Sequence, residues 1–128
     1  MAIPVIHRVT TFEDSGIILM ARVIDGDGNN IQIANISSII YSVRDKANSA
    51  VDLAANSPLT VAEHVFDVPQ TPEIWTADTH GYNFRYDAVA SEIADGDKTY
   101  RFEFKFQPAS GQPFYVAYDV NTVNLLMS

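Results

Sequence analysis

The amino-acid sequence predicts an all-β fold in which two sheets pack face to face, and three observations carry that prediction. First, Lys98 to Gln107 sets Tyr100, Phe102, Phe104 and Phe106 on one side of an extended chain and Thr99, Arg101, Glu103, Lys105 and Gln107 on the other, a period of two that no helix reproduces. Second, Pro108 to Pro113 turns the chain, and Phe114, Val116, Tyr118 and Val120 return on one face, which makes an antiparallel hairpin with an aromatic side to cover. Third, no stretch sustains a period of 3.6, and turn-forming residues recur between short β-branched runs, so the expected cover is a second sheet. The expectation is a two-sheet antiparallel β-sandwich of about seven strands, one domain over residues 1–128.

Each element has its own justification. Ile3 to Phe12 is rich in β-branched residues, with Pro4 near its start where an edge strand tolerates it, and reads as the first strand. Glu13 to Gly16 is a turn. Ile17 to Asp25 is nearly continuously apolar, which suggests a strand buried on both faces or placed centrally. Asp25 to Asn30 is the densest turn signal, and after a short extended piece at Ile31 to Ile33 the run Ile36 to Asp45 alternates with Ile39, Tyr41 and Val43 inward. Lys46 to Pro58 is small, polar and Ala-rich without a sustained period, and reads as a loop with room for a short helical turn. Leu59 to Asp67 reads either as a fourth strand or as a helical turn at Leu59 to Glu63 followed by a short strand, and Pro69 and Pro72 stop either one. Tyr82 to Asp87 alternates again, with Tyr82, Phe84 and Tyr86 on one face, and Ser91 to Asp97 turns the chain into the hairpin.

Composition excludes several classes of function. The chain has 128 residues, enough for a self-sufficient core, and no Cys, which removes disulfides, thiolate catalysis and cysteine metal sites. Asp and Glu number 16 against 8 Lys and Arg, a formal charge of -8. Such a surface repels a nucleic-acid backbone or an anionic membrane, so neither is expected as partner. Residues 1–11 carry no basic leader followed by an apolar run, and no stretch is long enough to span a bilayer. No signal peptide is expected, and the sequon Asn35-Ile-Ser37 is then without meaning.

The candidate sites each have a simple structural reading. Asp25, Asp27 and Asn29 alternate as calcium ligands do, yet position six is Asn30 instead of Gly and position twelve is Ile36 instead of Glu, so a turn without metal is expected. His7, His64 and His80 lie in three separate segments, with no second ligand at metal spacing and no defined nucleophile. Asp95 and Asp97 share a Gly-containing turn, which does not hold two carboxyls across a cleft. Tyr82, four residues after Asp78, has the approach of a tyrosine corner, where a phenol ties a strand to a neighbouring loop. Trp75 lies in a Pro-flanked loop and is either an exposed contact or a cap folded over one end of the core. No catalytic, cofactor-binding or metal residue is assigned.

Three stretches taken together carry a resemblance. Val23-Ile-Asp-Gly-Asp-Gly28 closing a strand, Gly81-Tyr-Asn-Phe84 entering one, and Gly96-Asp-Lys-Thr-Tyr-Arg-Phe102 before the hairpin resemble the strand ends of bacterial and phage immunoglobulin-like domains. The Asp-Gly-Asp-Gly turn followed by Ile40-Tyr-Ser-Val-Arg-Asp45 resembles, more narrowly, the immunoglobulin-like N-terminal domain of phage baseplate upper proteins, over about residues 16–120. Departures are the missing Cys pair and the position of Trp75 in a loop instead of on the third strand. The resemblance implies an immunoglobulin-like sandwich and a virion setting.

With no constellation of nucleophile, base and oxyanion donor, an enzyme is not expected. The expected function is a non-catalytic structural or interaction subunit of a larger assembly. The setting is a phage virion assembled in a host cytoplasm, the role capsid decoration or cement or a head-tail or baseplate component, and the partners other protein subunits, with self-association. The alternative is a carbohydrate- or ligand-binding module. Leu125, Leu126 and Met127 are apolar beyond what a last strand needs, and are expected either to cap the domain or to dock on a neighbour.

Overall fold

A computed structural model describes residues 6–25, 28–71 and 81–127, with backbone alone for residues 48–56. Eight strands form two sheets among these residues. The larger sheet has the order β1-β8-β7-β3-β4, built from β1 (Ile6–Phe12), β3 (Ile36–Asp45), β4 (Asn48–Leu59), β7 (Thr99–Pro108) and β8 (Phe114–Val123). The smaller has the order β2-β6-β5, from β2 (Ile17–Ala21), β5 (Val65–Gln70) and β6 (Tyr82–Ala88). A short helix, α1 (Val61–His64), links the end of β4 to β5, and 3-10 turns occupy Ile33–Asn35 and Ala90–Ile93.

The hairpin that organises the fold has the register its alternation demands: Phe102 faces Tyr118, Phe104 faces Val116 and Phe106 faces Phe114. Phe102, Phe104, Phe106 and Val120 are fully buried. They meet the smaller sheet through aromatic edges, with Phe84 of β6 5.0 Å from Phe104 and 5.2 Å from Phe106, ring centroid to centroid. Edge-to-face contacts of this kind add to area burial because the positive ring edge meets the negative face.

Four expectations are corrected. The sandwich is not wholly antiparallel: β1 runs parallel to β8. The chain leaves β1 through the turn at 13–16 into the opposite sheet, so no hairpin dictates the direction of its neighbour. Residues 48–58 belong to β4 instead of a loop. Their pairing with β3 shifts register between Tyr41 and Val43, Val43 and Arg44, and Arg44 and Asp45; the extra residues erase the period of two that would have revealed a strand. The second strand ends at Ala21 instead of Asp25 and is an edge strand, with Leu19 and Ala21 buried and Ile18 exposed. Beyond it, the Asn83 side chain replaces a neighbouring strand, its Oδ1 accepting from the Val23 amide at 2.7 Å and its Nδ2 donating to the Val23 carbonyl at 2.9 Å. Finally, Pro69 does not stop β5, because that strand lies at the sheet edge, where a missing amide donor costs nothing. Of the two readings of 59–67, the helical turn followed by a strand is the one observed.

Tyr100, at the start of β7, ties its strand to the preceding turn. Its hydroxyl accepts from the Asp95 amide at 3.1 Å, and the ring is buried. Tyr82 is also buried, edge-on to Phe66, while Asp78 lies outside the described residues. A second buried tie joins the sheets: Glu92 accepts from the Tyr86 hydroxyl at 2.8 Å, the Val89 amide at 3.1 Å and the Tyr41 hydroxyl at 3.2 Å. A buried carboxylate is tolerated only with such donors around it. Burial and the neighbouring carboxylate push the Tyr86 phenol up.

Candidate functional site

The strands place two features at opposite poles of the molecule. At one pole β1 and β8 end side by side, with Phe12 opposite Val123. The backbone there is held firmly. The Glu13 amide donates to the Val123 carbonyl at 3.0 Å, the Asp14 amide to Ile93 at 3.0 Å, the Asp97 amide to Thr122 at 2.9 Å, and the Leu125 amide to the Glu13 carboxylate at 2.9 Å. Gly96 lies so close to the side chains of Asn124 and Glu13 that a Cβ would collide with them.

At this pole lie exposed apolar side chains: Phe12 at 54%, Val123 at 45%, Met127 at 79% and Leu126 fully accessible. Of the two roles open to the tail in the sequence, capping its own domain is not what Leu126 and Met127 do. Apolar groups left in water favour transfer to an apolar surface by about 25 cal/mol per Å² covered.

At the other pole the loop between β2 and β3 meets the β7–β8 turn around a cleft of about 600 Å³. The loop closes on itself through Asp25, whose amide donates to the Asn29 carbonyl at 2.8 Å and whose Oδ1 accepts from the Asn29 amide at 3.0 Å. Gly28 adopts φ +86°, which a side chain disfavours. Asp25 thus serves the turn, and Asp27 lies outside the described residues. Ile31, almost fully buried, roots the loop in the core, and the Ala109 amide donates to the Asn35 carbonyl at 2.8 Å, joining the two walls. Phe114 stacks on Phe106 at 5.3 Å and gives the cleft an apolar wall, while Asn29, Asn35 and Gln112 line it with amides.

The remaining sequence candidates are dispersed. His7 stacks on Tyr118 at 5.1 Å in the larger sheet, and burial lowers its pKa. His64 lies in α1 with its Nδ1 3.0 Å from the Arg85 carbonyl oxygen. His80 and Trp75 lie outside the described residues. The Asp95 carbonyl accepts from the Thr122 hydroxyl at 2.7 Å, and Asp97 takes the left-handed turn position at φ +56°. Among the described residues no group of three or more His, Asp or Glu converges on a point that a metal ion could occupy.

One constellation was missed in the sequence. On the outer face of the larger sheet Asp119 is buried between the Arg101 guanidinium and the Lys46 ammonium, the latter at 3.2 Å. Burial alone would raise its pKa, but the hydrogen bonds from Arg101 and Lys46 prevail and hold it below the usual carboxylate range. The signal was present in the hairpin register, which sets Arg101 opposite Asp119. No family model, curated protein or solved structure matches this chain.

Proposed function

We propose that the chain is a non-catalytic interaction subunit of a larger protein assembly, built on an immunoglobulin-like sandwich, and that the apolar pole is its docking surface. The observation that carries this reading is the exposed apolar group of Phe12 and Val123, opposite each other on paired strands, with Leu126 and Met127 of the tail that follows.

Strand order supports the immunoglobulin-like topology. With β2 to β8 taken as strands B, C, C′, D, E, F and G, the smaller sheet reads B-E-D and the larger C′-C-F-G, as in variable-type domains. Tyr100 has the place and bonding of a tyrosine corner, and Phe102, two residues on and fully buried, stands where antibody domains carry the second Cys. The phage-virion setting rests on the sequence resemblance.

The alternative, a carbohydrate- or ligand-binding module, has the cleft beside Phe114 in its favour. The aromatic face of the hairpin does not serve it, because Phe102, Phe104 and Phe106 are buried in the core. A tagged chain, sized by gel filtration in extracts of its native host, tests the main reading. It elutes in a complex well above its own 14.1 kDa, and Leu126→Asp elutes free. Elution of the unaltered chain as a free monomer, or turnover of a substrate by the purified protein, overturns the reading.

A further inference from the structure

We infer that the partner presents an acidic protein surface, and that it lies across the outer face of the larger sheet, continuous with Phe12 and Val123. This rests on the assembly reading and adds the chemistry of the partner to it.

Register assigns the face. Phe102, Phe104, Tyr118 and Val120 are buried in the core, so the residues that alternate with them, Arg101, Glu103, Lys105 and Asp119, point outward. Pairing carries the same side to Arg8, Thr10 and Phe12 on β1 and to Ile40 and Arg44 on β3. Phe12 and Val123 therefore share a face with a row of charge, in which Arg8 stands opposite Asp119, Asp119 opposite Arg101, and Arg101 opposite Arg44.

Charge is segregated onto that face. It holds five cations, Arg8, Arg44, Lys46, Arg101 and Lys105, against three carboxylates, Glu103, Asp119 and, by register, Asp52. The face thus carries +2 in a chain of -8, and the remainder carries -10. The Asp119 carboxylate is taken by Arg101 and Lys46, while Arg8 of the same row is exposed and makes no ion pair among the described residues. Cations in excess of the carboxylates beside them favour an anion that a partner brings.

Size and shape suit a protein. Five strands about 4.8 Å apart and about ten residues long give a face of about 600 Å², close to the ~800 Å² that each partner contributes to a stable interface. Tyr115, 64% exposed, stands beside Lys105 at a depression of about 230 Å³ that Ile40 and Ser42 also line. Tyrosine set in such a place is a common anchor of protein interfaces. A long polyanion such as nucleic acid fits less well, because past the edges of the face it meets the -10 of the remainder. A bounded cluster of carboxylates does not.

Sizing of the tagged chain in host extract, with variants at Thr10, tests this. Thr10 is exposed on the face between Arg8 and Phe12. Thr10→Glu and Thr10→Lys both keep the circular dichroism spectrum and melting temperature of the parent. Thr10→Glu leaves the complex, its affinity roughly tenfold or more lower, and Thr10→Lys stays in it, because the sign of the charge is what separates the two. A water-soluble carbodiimide, which joins an amine to a carboxylate with loss of water, links Lys105 to an Asp or Glu of a different protein, as read by mass spectrometry of the cross-linked peptides. Thr10 variants that behave alike, a Lys105 that links to no other protein or only to another copy of this chain, or a complex that nuclease disperses overturns the inference. Any of these with the parent chain still in a complex leaves the assembly reading standing, whereas a parent chain that elutes free removes both.

Discussion

The Tyr100 hydroxyl accepts a hydrogen bond from the Asp95 amide at 3.1 Å, five residues back along the chain, while the Tyr100 ring lies buried in the core. One side chain thereby fixes both the start of β7 and the turn before it. That turn carries Gly96, which is packed against Asn124 of the tail, so the tie extends to the base of the apolar pole.

Tyr100→Phe keeps the ring and removes the tie. The expected loss is about 0.5 to 1.5 kcal/mol, since the Asp95 amide then lacks its acceptor. Urea denaturation measures it. An unchanged midpoint would mean that water satisfies the amide equally well.

Phe104 touches Phe84, Tyr41, Tyr86 and Tyr118 at ring-centroid distances of 5.0 to 5.9 Å. Phe104→Ala therefore opens a cavity between the sheets and costs on the order of 3 to 5 kcal/mol, a large fraction of the stability of a small domain. A melting temperature equal to that of the parent would contradict the inward placement of this side chain.

Acid should weaken the fold in two steps. Burial lowers the His7 pKa below 6.5, so the folded state disfavours the charged ring and stability falls as pH drops from about 6.5 toward the folded value. The folded pKa of Asp119 is also depressed, below 3.8. Its contribution is complete above the unfolded value and is lost as pH falls below about 4. His7→Phe removes the upper step and Asp119→Asn shrinks the lower one, both read from urea midpoints against pH. Profiles of the variants parallel to that of the parent would refute the assignments.

At the cleft, Asp25→Ala removes the acceptor of the Asn29 amide and costs about 0.5 to 1.5 kcal/mol. The cost is the same with and without calcium. A calcium-dependent rise in melting temperature that disappears in Asp25→Ala would show that the turn binds the ion, because a ligand selective for the folded state stabilises it by mass action.

Where one face of a strand is buried, the sequence alone was enough. The alternation of Tyr100 to Phe106 and of Phe114 to Val120 placed the hairpin and its register, because a slip of one residue would carry every aromatic ring into water. The same reasoning placed Tyr82, Phe84 and Tyr86 inward, and all three are buried. The apolar excess of Leu125 to Met127 was legible too, as composition.

What composition and period could not supply was decided by long-range pairing. Strand β4 has no visible period because bulges break its alternation, and the parallel partnership of β1 with β8 leaves no local mark, since it joins residues more than a hundred positions apart. A tyrosine tie is seen at Tyr100, which the sequence did not single out, because the partner of a buried hydroxyl is set by which turn packs beside it; the tie expected at Tyr82 involves residues outside those described. The separation of tail and cleft to opposite poles is of the same kind: residues near in sequence, Phe114 and Val123, are held far apart by the rise of an extended strand, and only the assembled sheet gives that distance a direction.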